Sequence, residues 1–133
     1  METINYMAIV AAAVSAFLIG GLWYSPLLFG KAWMKEMGFT DADLQQGNMA
    51  KIFGLAFIFT LIMAFCLAMF LNDASIGASE GAFYGFLAGF GWIFFALAVN
   101  SLYERRSWRY SLINGGYWTV VFTLMGFILG AWR

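Results

Sequence analysis

Several polar side chains that could do chemistry stand where long apolar stretches of the sequence begin or end. They are Tyr24, Ser25, Asn100, Glu104, Arg105, Arg106, Arg109 and Asn114. Basic groups clustered beside membrane segments are typical of sites that bind lipid headgroups. One interpretation is therefore a vestibule for an anionic or zwitterionic ligand, with a lipid headgroup as the leading example.

The same residues also fit a structural interpretation. In it the arginines anchor the chain to headgroups, Glu104 pairs with a neighbouring base, and the asparagines tie helices together. An unpaired amide in hydrocarbon costs a few kcal/mol. In either interpretation we therefore expect Asn100 and Asn114 to face protein or a wet cavity.

Enzymatic chemistry is disfavoured by the residue types that are missing. The sequence has no histidine, so His-based catalysis and the commonest zinc ligand are absent. Its one cysteine, Cys66, lies inside an apolar stretch and is interpreted as a small apolar residue rather than a reactive thiol. Asp73 and Glu80 could hold a cation, but a solvated loop is the simpler interpretation. We expect a protein that is not an enzyme, with no metal and no cofactor.

Four apolar stretches must position these groups: Ile4–Leu22, Ile52–Leu71, Ala82–Leu102 and Ile113–Trp132. A helix of roughly 20 residues, rising about 1.5 Å per residue, covers the roughly 30 Å hydrocarbon core of a bilayer. Hydrophobic residues make up 63% of the chain and charged residues 11%, with a mean hydropathy of +0.80. The sequence predicts an all-α membrane protein with four transmembrane helices in a single domain, residues 1–133. Its zero net charge and lack of a basic run give no sign of a nucleic-acid partner.

The basic residues predict the orientation. Lysines and arginines flank the first and third connections, whereas the second connection has none and the C-terminal tail has only Arg133. By the positive-inside rule, the first and third connections are cytoplasmic and both termini lie outside. No charged residue stands at the centre of a stretch, which disfavours a proton relay through the membrane.

The first connection is predicted to contain an amphipathic helix over Pro26–Met37, capped by Ser25 and stopped by Gly38. Phe29, Trp33 and Met37 recur every four residues, which favours a helix lying on the cytoplasmic membrane surface. The alternative is a re-entry loop packed on the bundle. The following Thr40-Asp41-Ala42-Asp43 indicates a capping box with Asp in the Glu position, at the start of a helix that enters the membrane after Lys51.

Small residues at four-residue spacing predict close helix packing. They are Gly81, Gly85 and Gly89 in the third stretch and Gly126 and Gly130 in the fourth. Such faces let two helix backbones approach each other. The spacing fits packing within one four-helix bundle, and it equally fits the seam of a homo-oligomer.

The run W-Y-S-P-L-L-F-G-K-A-W at 23–33 is the most distinctive segment, followed by N-G-G-Y-W at 114–118 and M-G-F-I-L-G-A-W at 125–132. With these segments the chain resembles, over its whole length, the domain of unknown function 1761 family of small bacterial integral membrane proteins. The resemblance implies four spans and a bacterial inner membrane, and it implies no activity, catalytic residue or cofactor.

We therefore predict a non-enzymatic bundle that binds a lipid, a small amphiphile or another membrane protein on its cytoplasmic side. The alternative is a homo-oligomeric channel or transporter for a small solute, with the third-stretch glycines at the subunit seam. Membrane lipids are the expected partners in either case.

Overall fold

The computed structural model describes residues 4–40, 42–43 and 49–132. These ranges contain the helices α1 (Tyr6–Trp23), α2 (Gly30–Met37), α3 (Met49–Phe70), α4 (Ala78–Tyr103) and α5 (Trp108–Ala131). All of these except α2 are long and apolar enough to cross a membrane. The described residues contain no strand. The prediction of an all-α chain with four spanning helices is confirmed.

Helices α4 and α5 begin before their apolar stretches because polar groups cap their first turns. The Ser107 hydroxyl oxygen accepts a hydrogen bond from the Tyr110 backbone N–H at 3.3 Å, so α5 begins before its apolar segment. At the start of α4, the Glu80 carboxylate accepts a hydrogen bond from the Gly77 N–H at 2.9 Å. Each cap satisfies a helix-end N–H that would otherwise lack a partner.

Helices α4 and α5 form the tightest pair in the chain. A methyl group added at Gly81 would overlap the Gly126 carbonyl oxygen, and one added at Gly85 would overlap the Phe122 carbonyl oxygen. Gly89 and Gly130 are likewise covered by backbone of the facing helix. The predicted glycine faces therefore pack against each other within one chain. In this structure the chain's own α5 occupies the face that the alternative placed at a subunit seam.

Helix α1 packs on α5 through small residues on one face. Ala8, Ala12 and Ala16 are completely buried, as are Val121 and Met125 of α5. Small side chains on α1 leave room for the larger ones of α5, which is how membrane helices gain dispersion contacts without a hydrophobic driving force. Helix α3 contacts mainly α1, so α1 and α5 form the centre of the arrangement while α3 and α4 lie on its two sides.

One segment of α4, Gly89–Phe94, is a π-helix. A π-turn adds a residue to the local winding and so changes which side chains face the neighbouring helix. Before the segment, α4 presents glycines to α5. At its last residue, the Phe94 ring lies on Gly115, where an added methyl group would overlap the ring. The π-segment thus joins a glycine contact to an aromatic one along the same pair of helices.

The helix in the first connection is shorter than predicted. Residues 25–29 form turns in which the Ser25 carbonyl accepts hydrogen bonds from the N–H groups of Leu28 and Gly30, at 3.1 and 2.9 Å. Helix α2 therefore begins at Gly30, and Ser25 does not cap it. The Ser25 hydroxyl instead donates to the Leu22 carbonyl at 2.7 Å. The predicted stop is confirmed, since Gly38 has a left-handed backbone with φ of 73°.

The predicted capping box after α2 is partly visible. The Asp43 carboxylate accepts a hydrogen bond from the Thr40 N–H at 2.8 Å, and the Thr40 hydroxyl oxygen accepts one from the Asp43 N–H at 3.3 Å. These reciprocal bonds are the expected geometry. Asp41 and the remainder of that predicted helix, residues 44–48, lie outside the described residues.

Candidate site at the basic end of the helices

All the basic residues of the described chain lie at one end of the spanning helices, where α1 and α4 finish and α3 and α5 begin. We call this the basic end. Its members are exposed side chains: Lys31, Lys35, Lys51, Arg105, Arg106 and Arg109. The one other basic residue, Arg133, lies outside the described residues. The basic end therefore concentrates positive charge at one face of the protein.

Four side chains, Trp23, Tyr24, Asn114 and Tyr117, join α1 to α5 just inside the basic end, and we call them the aromatic latch. The Trp23 indole N–H donates to the Ile113 carbonyl at 2.9 Å. The Tyr24 hydroxyl donates to Oδ1 of Asn114 at 2.8 Å. The Tyr117 hydroxyl donates to the Ala16 carbonyl at 2.8 Å. The latch thus satisfies polar groups on both helices where an unpaired group would be costly.

The latch is tightly filled. The rings of Tyr24 and Tyr117 lie 5.4 Å apart between centroids. A methyl group added at Gly20 would come within 3.1 Å of the Tyr117 hydroxyl, and one added at Gly116 within 3.1 Å of the Trp23 ring. Burial, with a smaller effect from nearby Tyr117, raises the pKa of the Tyr24 hydroxyl. That group therefore stays protonated and remains a hydrogen-bond donor to Asn114.

The latch brings together two segments that are distant in the sequence. The run 23–33 supplies Trp23 and Tyr24, and it also supplies Gly30, where an added methyl group would overlap the Tyr24 carbonyl oxygen. The run 114–118 supplies Asn114 and Tyr117. These distinctive runs are thus explained by mutual packing and hydrogen bonding.

Helix α2 is held against the turn between α4 and α5. The Ser107 hydroxyl donates a short hydrogen bond to the Glu36 carboxylate. The Arg106 guanidinium donates to the Met37 sulfur at 3.7 Å and lies 4.8 Å from the centre of the Tyr110 ring. These contacts fix the position of α2 relative to α5, and they occupy the Arg106 side chain.

The predicted site residues separate into two groups. Tyr24 and Asn114 bond to each other, and Ser25 bonds to its own helix end, so these three act within the protein. Asn100 is exposed, within one turn of the end of α4, and its side-chain amide has no partner among the described residues. The expectation that it faces protein or a wet cavity stays a prediction. Glu104 is also exposed and forms no ion pair with another residue that the structure describes.

Arg105 has an unusual backbone. Its φ is 58°, and it is the non-glycine residue with positive φ among those described. The Arg105 N–H donates to the Leu102 carbonyl at 3.2 Å, and the Arg106 N–H donates to the Ser101 carbonyl at 2.9 Å. This pattern ends a helix with a left-handed residue, a position where glycine is favoured. For an arginine the conformation costs about 1 to 2 kcal/mol.

Large apolar side chains are exposed beside the basic residues. Leu27 is 85% exposed and Tyr103 is 84% exposed, and Trp108 is also largely exposed. Aromatic and aliphatic side chains next to lysine and arginine are typical of the boundary between headgroups and hydrocarbon. This end of the protein therefore presents both charge and apolar surface.

Two cavities lie away from the basic end. One, of about 20 Å³, holds the space of a single water between Asn5, Asn72 and Trp132 at the opposite end. The other is an open apolar groove of about 570 Å³ between α3 and α4. Neither is lined by a predicted site residue. In the connection between α3 and α4, the Asp73 carboxylate accepts hydrogen bonds from Ser75 and the Glu80 carboxylate accepts one from the Gly77 N–H. Both carboxylates therefore stabilise local turns.

Sequence reasoning missed part of the latch. Trp23 and Tyr117 are not among the predicted site residues, yet they supply two of the latch's hydrogen bonds, and Gly20 and Gly116 pack against their side chains. The signal that could have linked the two runs 23–33 and 114–118 is their composition, since both contain aromatic residues and glycine. Within the described part of the chain, no group of three or more His, Cys, Asp or Glu residues could hold a metal ion.

A search of curated proteins and a search of solved structures gave no match to this chain. A comparison with family models gave a match over residues 7–130, nearly the whole chain. That family is described as a protein of unknown function, DUF1761. Because the match covers more than half of the chain, this four-span protein belongs to the DUF1761 family.

Proposed function

We propose that this protein is a non-enzymatic, multi-pass membrane protein whose basic end binds a lipid or small amphiphile by its headgroup. The observation that carries the proposal is the exposure of basic side chains directly beside exposed Leu27, Tyr103 and Trp108. A lipid offers the matching chemistry, since it has a charged headgroup attached to apolar chains.

Charge supports an anionic partner. Each lysine or arginine near an anionic membrane surface contributes about 1 kcal/mol of attraction. Lys31 and Lys35 lie on the exposed side of α2, and the turn after α4 adds the arginines. By the positive-inside rule these residues face the cytoplasm, where anionic lipids of the inner leaflet would be in reach.

The aromatic latch supports a surface site rather than a deep one. Tyr24 and Asn114 are bonded to each other, and the rings around them fill the space between α1 and α5. A headgroup would therefore meet the exposed residues of the basic end, with its apolar chains remaining in the surrounding bilayer.

The test is native mass spectrometry of the protein released gently from its own membrane. We expect a reproducible extra mass corresponding to a phospholipid. The variant in which Arg105, Arg106 and Arg109 are all changed to Gln should lose most of that mass. If the adduct pattern of this triple variant equals that of the unchanged protein, the proposal fails. Retention of a second protein instead of a lipid would also count against it.

A further inference from the structure

Two arginines of the basic end, Arg105 and Arg109, stand where local structure favours other residues. We propose that their guanidinium groups together hold a phosphate group, as carried by the headgroup of an anionic phospholipid. This inference rests on the proposed function and deepens it by naming the chemical class of ligand and the residues that select it.

Arg105 carries the first part of the argument. It occupies the left-handed position that ends α4, with φ of 58°. Glycine or asparagine is the residue that fits this backbone without strain. An arginine in that position destabilises the turn, so its side chain has to contribute something that the fold itself does not require.

Arg109 carries the second part. It is the second residue of α5, and the first turn of α5 contains no acidic residue. Acidic side chains stabilise the first turn of a helix, whereas a cation there is unfavourable. Arg105 and Arg109 thus both depart from local preference within one short turn of the chain. Departures of this kind concentrate at functional sites.

The third part is that both guanidinium groups are available. Arg105 and Arg109 are exposed, and neither guanidinium group forms a hydrogen bond or ion pair with another described residue. Arg106 between them differs, because its guanidinium contacts Met37 and Tyr110. It serves as a positioning residue that holds the turn against α2. The planar guanidinium fork binds phosphate oxygens in pairs, which a lysine ammonium does not do.

The experiment compares variants that remove equal charge from the same end. The protein in detergent is titrated with phosphatidylglycerol, with diacylglycerol as a phosphate-free lipid, and with inorganic phosphate, and bound ligand is read by native mass spectrometry. We expect R105Q/R109Q to weaken phosphatidylglycerol binding at least tenfold. The matched variant K31Q/K35Q should weaken it less than threefold, and R105K/R109K should fall between the two.

A single substitution separates the ligand role from a structural one. R105G places the favoured residue in the left-handed position, so we expect a higher unfolding temperature together with weaker phosphatidylglycerol binding. If Arg105 had only a structural role, its replacement would not raise the unfolding temperature while weakening phosphatidylglycerol binding. If R105G binds phosphatidylglycerol as well as the unchanged protein, the assignment of Arg105 is wrong.

The remaining outcomes are distinguishable. Equal losses in R105Q/R109Q and K31Q/K35Q would overturn the arginine site while leaving lipid binding by the basic end intact. If neither the unchanged protein nor any variant binds phosphatidylglycerol or inorganic phosphate, both proposals are overturned. The protein could instead bind inorganic phosphate but not phosphatidylglycerol, and R105Q/R109Q could abolish that binding. This result would support the arginine site with a soluble phosphate as its ligand, and it would overturn the lipid proposal.

Discussion

The Tyr24 hydroxyl donates a hydrogen bond of 2.8 Å to the Asn114 side chain, although 90 positions separate the two residues. Tyr24 directly follows the last residue of α1, and Asn114 lies in the second turn of α5. The bond therefore ties together the two central helices. Because both groups lie near the edge of the hydrocarbon, each would be costly if left unpaired. The bond therefore fixes the relative rotation and depth of α1 and α5.

Changing Tyr24 to Phe should lower the free energy of unfolding by about 1 to 3 kcal/mol, because it leaves the Asn114 oxygen without its donor. The measurement is thermal unfolding in detergent. Tyr103→Phe is the matched control, since Tyr103 is 84% exposed. In the double variant with Asn114→Ala, the two losses should not add, because each removes the same bond. Additive losses would show that the bond contributes nothing.

Changing Gly126 to Ala should destabilise the protein by about 3 kcal/mol or more, since the new methyl group would overlap the Gly81 carbonyl and force the helices apart. Gly54→Ala in α3 is the control. Among the described residues, no atom of another part of the chain lies within 4 Å of a methyl group at that position. Alanine there should stabilise the helix by about 0.5 to 1 kcal/mol. Equal unfolding temperatures for the two variants would contradict the observed α4–α5 packing.

Changing Glu36 to Ala should release α2 from the turn before α5, because the Ser107 hydroxyl loses its acceptor. We expect faster amide hydrogen exchange over 30–37 and little change in the unfolding temperature, since α2 is short and makes few other contacts. Lys31→Ala, on the exposed side of the same helix, is the control. Unchanged exchange in the Glu36 variant would mean that packing alone holds α2.

The predicted orientation can be tested by labelling in whole cells. With Cys66 first changed to Ser, a cysteine introduced at Ser75 should react with a membrane-impermeant maleimide, whereas one introduced at Lys35 should react only after the cells are broken. Both positions are exposed, so access to the reagent decides the result. The reverse pattern would place the basic end outside and would contradict the positive-inside assignment.

The spanning helices could be predicted from the sequence because the bilayer imposes a minimum length of apolar helix, and each apolar stretch meets it. The glycine spacing predicted close packing, but it did not identify the partner helix. Spacing describes one face of a helix, whereas the partner depends on how the whole bundle assembles. The π-segment at Gly89–Phe94 has no sequence signal of its own and arises from the contacts that α4 makes on either side of it.

At the start of α2, packing overrides the local sequence preference for a helix. Ser25-Pro26 has the composition of a helix start, yet the Ser25 carbonyl is used in a turn that places Gly30 against the Tyr24 backbone. At the site, the sequence places Tyr24 and Asn114 at the same end of the bundle, because α1 ends and α5 begins on that side. Their direct bond, and the exposure of Asn100, depend on the rotation of each helix about its axis, which composition does not determine.

The glycine contact between α4 and α5 also bears on how the protein is made. The ribosome makes α1 and α3 before the pair that packs most tightly, and α1 meets its main partner, α5, only after the other three spans have been made. During that interval α1 and α3 have only each other as partners, and their high apolar content lets them stay in the bilayer. Helix α5 therefore completes the assembly, and a chain truncated before Trp108 would leave α1, α3 and α4 without the helix that all three of them contact.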